Sequence, residues 1–331
     1  MLFRSYNISI GAEAYGSSTG DRNITMGYRA MTTEHTLSYN IAIGHTALYY
    51  PGAGGSGYNI AIGDSSMFGG SAGGAASYNT ALGQRTLYSI TAGSNNMAIG
   101  HQSLYKVKTG GQNTALGTYA GYNQIGSNAT LIGYYAGYYA TGSSNTFVGS
   151  EAGKGGTTSA PYSSGQYNAA VGYEALKGFT TGGNNIAIGY QASVALTTAT
   201  MTITMGYLAG NSITTGGSNI MIGREAGKNI STTTSNIIIG NRAGMHLGGS
   251  NSDNHANRNV LIGHNAGRGD NGPSIAKGHY SVVIGDQAQY YFKSGSQNVH
   301  MGYQSGYYNQ NGNYNVTIGS GAGARATGSS N

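Results

Sequence analysis

Along the chain one short pattern keeps returning. It reads Asn, apolar, any residue, apolar, Gly, two variable residues, a small residue, then Gly or Leu, as in the stretch from Asn40 through Gly44 to Leu48. The glycine of this phrase falls at 18 positions from Gly11 to Gly319, among them Gly44, Gly100, Gly149, Gly189, Gly223, Gly263 and Gly302. Twelve of the 17 intervals are 16 or 17 residues long. A fixed period over the whole chain predicts a solenoid, one coil per unit. The residue before each glycine is Ile, Leu, Val or Met, and the one two positions earlier is apolar or Thr. This period-two alternation predicts a short strand with both side chains on one face. Three residues after the glycine comes Ala in 14 units and Ser or Thr in the others. Such a small residue fits where two walls of a thin coil nearly touch. We expect these three side chains to point inward. The glycine itself fits a bend where φ turns positive or a side chain would clash.

The leading position is Asn in 15 of 18 units: Asn7, Asn23, Asn40, Asn59, Asn79, Asn96, Asn113, Asn145, Asn168, Asn185, Asn219, Asn236, Asn259, Asn298 and Asn315. Ala129, Thr202 and Ser281 stand in the other three. An asparagine at the same point of every coil predicts a ladder that satisfies turn backbone groups from coil to coil. Three of the five Asn-x-Ser/Thr sequons (Asn7, Asn23, Asn128, Asn229, Asn315) are ladder positions, so they read as structure. Helices are excluded, because glycines interrupt the chain too often and no helical apolar stripe exists. The prediction is an all-β parallel β-solenoid or β-roll of about 18 coils, covering residues 1–331 as one repetitive region. At about 4.8 Å per coil it makes a rod roughly 85 Å long. So thin a core buries little apolar surface, which favours association of several chains along the rod.

Composition narrows the function. Glycine supplies 59 of 331 residues and tyrosine 28, with three prolines and no cysteine. Collagen is excluded by the lack of a glycine every third residue, and a disulfide or zinc-thiolate framework by the lack of cysteine. Only ten acidic residues are present, few for acid-base chemistry. The net charge of +6 comes from scattered Lys and Arg rather than the basic face of a nucleic-acid binder. No apolar run is long enough to span a membrane. The stretch from Gly149 to Lys154 lacks the spacing of a phosphate-binding loop, and no hydrolase or zinc-protease phrase occurs. Neither enzyme activity nor a cofactor is expected. Glu151 and Glu174 are the one carboxylate pair in adjacent units.

The Asn-Ile-Ala-Ile-Gly-x-x-Ala phrase resembles the head repeats of trimeric autotransporter adhesins. It resembles still more the repeat arrays of phage tail fibres, which share Tyr after the glycine, here Tyr28, Tyr134, Tyr173, Tyr190, Tyr207 and Tyr303. The likeness runs from about residue 5 to 327. It implies a homotrimer of parallel β-rolls presenting a receptor-binding surface. The period is longer than the roughly 14 residues of adhesin heads, and no coiled-coil stalk or anchor accompanies it.

Candidate contacts follow from position in the coil. Tyr173, Tyr190 and Tyr207 occupy one position in three consecutive coils and should stack into an exposed aromatic ladder, suited to sugar rings or to packing. Tyr134, Tyr138, Tyr290 and Tyr307 belong to doublets in the turns, expected on a shared surface. The longer intervals predict loops at 154–166, 245–258 and 268–280, where recognition on a rigid scaffold usually resides. Asp253, His255 and His264 form the weak metal candidate, and Arg268 to Asp270 spells Arg-Gly-Asp. Neither outweighs ordinary solvated loop chemistry, so no metal site is expected. The expected role is an extracellular fibre, on a virion tail or a cell surface, that binds a cell-surface glycan or protein. The units run to both ends without a polar cap, so an excerpt of a longer fibre or an end-to-end stacking subunit is expected. The alternatives are a self-assembling filament and an ice-binding solenoid, the latter disfavoured because its threonines do not share one column.

Overall fold

The computed structural model describes residues 6–16, 19–32, 36–49, 57–69, 76–248, 256–269, 278–326 and 328. Two compact units divide the chain, Met1–Tyr167 and Asn168–Asn331. Each phrase forms a three-residue strand. The first unit holds nine, from Ile8–Ile10 to Thr146–Val148, and the second nine, from Ala169–Val171 to Val316–Ile318. Within each unit every strand pairs in parallel with the next, residue for residue, as in Ile24 with Ile41, Thr25 with Ala42 and Met26 with Ile43. The 23-residue interval is absorbed without a slip, since Ile237 still pairs with Val260. The fold is an all-β parallel solenoid with no helix among the described residues, and none long and apolar enough to cross a membrane.

Glycine and asparagine close each coil against the next. All phrase glycines have φ between +123° and +135°, a region open to glycine alone. At Gly206 a Cβ would lie 2.5 Å from the carbonyl oxygen of Gly223, one coil on. The asparagines form a buried column. Asn40 donates its backbone N–H to Asn23 Oδ1 at 2.8 Å and its Nδ2 to the same oxygen at 3.0 Å. Asn59 repeats the pattern on Asn40 at 2.9 and 3.2 Å and donates again to the Ala76 carbonyl at 3.0 Å. At the exceptions the backbone still accepts the link. The Ala129, Thr202 and Ser281 amides donate to Asn113, Asn185 and Asn259 Oδ1, each at 3.0 Å. Ser281 Oγ then accepts from the Asn298 amide at 3.3 Å.

One expectation about the core is overturned. The apolar pair flanking the middle strand residue does share a face, but that face points outward. In the strand Ile186–Ile188 the two isoleucines are exposed while Ala187 between them is buried. The same order holds in Ile60–Ile62 and Thr114–Leu116, where the middle alanine alone is buried. The small residue after the glycine does point inward, as Ala47, Ala120 and Ala226 are fully buried. Within so thin a coil there is room for one strand side chain and its opposite wall, not for two isoleucines.

That opposite wall explains the alternation of Gly and Leu four residues after the phrase glycine. At the small middle residues Ala42, Ala81, Ala98 and Ala170 the later position carries buried Leu48, Leu87, Leu104 and Leu176; Ala115 is the exception, paired with Gly121, where a Cβ would meet Leu131 Cδ1 of the next coil at 2.5 Å. Where the middle residue is large (Leu131, Phe147, Met221, Ile238, Leu261), the later position is Gly137, Gly153, Gly227, Gly244 or Gly267. A Cβ on Gly153 would stand 2.5 Å from ring carbons of Phe147, and one on Gly267 2.8 Å from Leu261 Cδ2. The backbone is the same in both cases, with φ +53° at Leu48 and +54° at Gly267. The two positions exchange volume so that the interior stays filled, as close packing requires.

Candidate functional site

Three kinds of exposed feature arise from this coil. The first is the outward sheet face. In each unit the flanking strand positions stack into two columns of Ile, Val, Leu, Met and Thr, and many of these side chains are exposed, including Ile62, Leu116, Ile186, Ile188 and Met205. Exposed apolar side chains in a contiguous strip are a general mark of an interaction surface. Thr114, Thr130 and Thr146 sit consecutively in one of these columns. Thr25, Thr204 and Thr317 occupy the buried middle position instead, so the threonines divide between the two faces.

The second feature is aromatic. Tyr173, Tyr190 and Tyr207 stack at 5.4 and 5.3 Å between ring centroids, 17° and 15° from parallel, and each remains nearly half exposed. Their inner faces are occupied by one another. What the column offers outward is ring edges and hydroxyls, not flat faces for a sugar to lie on. The tyrosine doublets cluster within each unit: Tyr134, Tyr135, Tyr138 and Tyr139 follow one another at 4.4, 4.6 and 4.6 Å between ring centroids, and Tyr290 and Tyr291 meet Tyr307 and Tyr308, although their members belong to different positions of the coil. Tyr134 follows its glycine directly, as Tyr173 does. Tyr138, Tyr290 and Tyr307 stand five residues after theirs. Tyr290 stacks on Tyr307 at 5.3 Å, and Tyr138 on Tyr122 at 5.0 Å.

Reading the sequence for tyrosine pairs missed the longest column. Tyr49, Phe68, Tyr88, Tyr105, Tyr122 and Tyr138 stack in six successive coils, with centroids 4.9 to 5.2 Å apart. The available signal was an aromatic residue at a constant five positions past the phrase glycine. Burial, and after it the neighbouring Tyr122, push the Tyr138 hydroxyl up to about 12. Such phenols stay protonated and available as donors at neutral pH.

The third feature is charge. Glu151, Glu174 and Glu225 each meet a lysine three residues on, at 3.2, 2.7 and 3.0 Å. Burial opposes ionisation of Glu174, but hydrogen bonds from Lys177 and Gln191 outweigh it and hold the carboxyl below its ordinary range. Arg242, at 2.7 Å, is the main cause of the same shift at Glu225. Carboxylates held ionised in this way are poor proton donors. Glu151 and Glu174 fall in different units, each beside its own lysine. No group of three or more potential metal ligands occurs among the described residues. Asp253, His255 and Asp270 lie outside those residues, and His264 Nδ1 stands 3.1 Å from Asp286 Oδ1. Arg268 donates to the Tyr290 hydroxyl at 3.0 Å.

Inside the second unit, the middle strand residue His300 is fully buried, with Nδ1 2.5 Å from Thr317 Oγ1. Burial lowers its pKa to about 4 from the ordinary 6.5. The neutral ring is therefore the folded form, and the unfolded chain takes up a proton first as pH falls. Stability is intact above pH 6.5 and is lost progressively between 6.5 and 4, by about 3 kcal/mol in all. His300→Leu should flatten this dependence, measured as the melting temperature of variant and parent from pH 7 to 4.5. An equal acid loss in both would exclude His300 as its source.

Compared with known proteins, the chain matches no family model and no curated sequence.

Proposed function

We propose that the chain is a non-enzymatic fibre segment that works outside the cell as a parallel homotrimer, within a phage tail fibre or surface adhesin. It gives reach and holds its tyrosine-rich edges and inserted loops toward a cell-surface glycan or protein. The observation that carries this reading is the outward apolar sheet face, which a second and third copy of identical period can cover coil for coil. Apolar burial is the main driving force of such association. Self-association in register also multiplies each surface contact by the number of chains and coils. Weak contacts then combine into firm attachment. The phrase resembling phage-fibre and adhesin-head repeats supports the same conclusion.

Light scattering over a concentration series tests it. Three chains of 33.9 kDa give a constant mass of about 102 kDa. A stable single-chain mass would overturn the fibre reading and return weight to a solitary ice-binding rod. Mass that climbs without limit would favour the filament. Loss of cell attachment on deleting residues 154–166 would support recognition by the inserts.

A further inference from the structure

A cavity of about 380 Å³ is lined by Ser89, Lys106, Lys108, Thr109 and Ile125, and Ser89 and Lys106 directly follow Tyr88 and Tyr105 of the six-ring aromatic column. None of these residues belongs to a strand, so the apolar sheet face is free to be covered while the cavity stays open. Its volume lies in the range of small-molecule sites. We propose that this groove binds one acidic sugar residue of a carboxylated polysaccharide, whose neighbouring residues run along the tyrosine column. This deepens, and rests on, the receptor-binding reading above.

Charge comes first. Lys154, Lys177 and Lys228 are each neutralised by a glutamate, whereas no carboxylate pairs with Lys106 or Lys108 among the described residues. Lys106 is instead held by neutral acceptors. Its Nζ donates to Asn123 Oδ1 at 2.8 Å and to the Tyr162 hydroxyl at 3.4 Å, and lies 5.4 and 5.2 Å from the Tyr122 and Tyr162 ring centroids. An ammonium fixed in place and left uncompensated attracts an anion at little ordering cost.

The insert converges on the same lysine. Tyr162 belongs to the segment between the Thr146–Val148 strand and the end of the first unit, yet it reaches Lys106, 56 residues earlier. On the way it stacks with Tyr139 at 5.9 Å. The insert thus meets a lysine that lines the cavity. The column adds hydroxyls. Its ring faces are spent on one another, so it presents one hydroxyl per tyrosine coil. The 4.9 Å repeat at Tyr88, Tyr105 and Tyr122 is close to the length of one sugar in an extended polysaccharide. Exposed Ile125 supplies an apolar contact for a sugar's C–H face. Hydroxyls in series, two cations with no carboxylate partner among the described residues and one apolar wall match a polyuronate better than a neutral glycan.

The test uses the full chain with polygalacturonate, its neutral methyl ester and a sulfated polysaccharide. Polygalacturonate should bind at least tenfold more tightly than the ester, weaken with salt, and lose at least tenfold in the Lys106→Gln, Lys108→Gln double variant, with mass and melting temperature unchanged. Equal binding of the ester, or an unaffected double variant, overturns the proposal. Binding of the sulfated polymer alone overturns the choice of carboxylate. A neutral glycan that binds parent and double variant alike would sink the groove and leave the receptor reading standing. No binding to any glycan or cell surface would sink both.

Discussion

Leu261→Ala should destabilise its coil by about 2–5 kcal/mol, the range for emptying a buried leucine site, and adding Gly267→Leu should restore most of it. Alone, Gly267→Leu should also destabilise, by about 1–3 kcal/mol from overpacking, because its Cβ would meet Leu261 Cδ2 at 2.8 Å. In the double variant the coil takes the arrangement already present at Ala42 with Leu48 and Ala81 with Leu87, all four buried. The backbone accepts the leucine, since Leu48 and Leu87 have φ of +53° and +50°. A left-handed leucine costs about 1–2 kcal/mol more than glycine, which sets the expected remaining deficit. The cycle should give a coupling of about 3 kcal/mol, at the upper end for residues in contact. Amide hydrogen exchange of neighbouring coils is the suitable measure, because a long repeat array need not unfold in one step. A double variant as unstable as the sum of its parts would refute the volume exchange.

Charging the outward face should have the largest effect on assembly. Ile188→Asp, Met205→Asp and Ile222→Asp place three carboxylates along one column, since these positions pair successively in the sheet. In one chain all three side chains lie on the outward face, so the coil itself should fold as before. Between copies, each carboxylate would be buried without a partner at a cost of several kcal/mol. If the parent is the proposed trimer, the mass should drop from about 102 kDa to the 33.9 kDa of one chain, with the β circular-dichroism signal kept. A variant that keeps a trimeric parent's mass would show that copies meet through another surface. Asp in place of buried Ala187 or Ala170 should instead unfold its coil, which separates loss of assembly from loss of fold.

Much of this architecture is legible in the residues alone. The period, the parallel register, the three-residue strands and their number follow from the returning phrase. The glycine after each strand and the asparagine before it follow from backbone chemistry that does not depend on the neighbours' identity. Gly206 needs positive φ, and Asn40 must serve an amide one coil away. Tyr173, Tyr190 and Tyr207 were placed in one column by counting, because a fixed coil length turns sequence spacing into position. The same counting, applied to aromatic residues five past each glycine, would have found Tyr88, Tyr105 and Tyr122.

Other features could not be read that way. Alternation along a strand says that Ile186 and Ile188 share a face, but it is blind to which face points inward. That choice depends on what stands across the coil, where Leu176 or Gly227 is brought by the turn and not by the strand. Nor does spacing reveal that Tyr162 meets Lys106, since an insert's path is set by the surface it lies on. The sequence by itself determined the coil and its repeat, because these rest on local backbone geometry and a constant period. Tertiary structure alone decided the inward side of the strand, the trade of volume across the interior and the place where the insert lies, because each depends on packing between segments far apart in the chain.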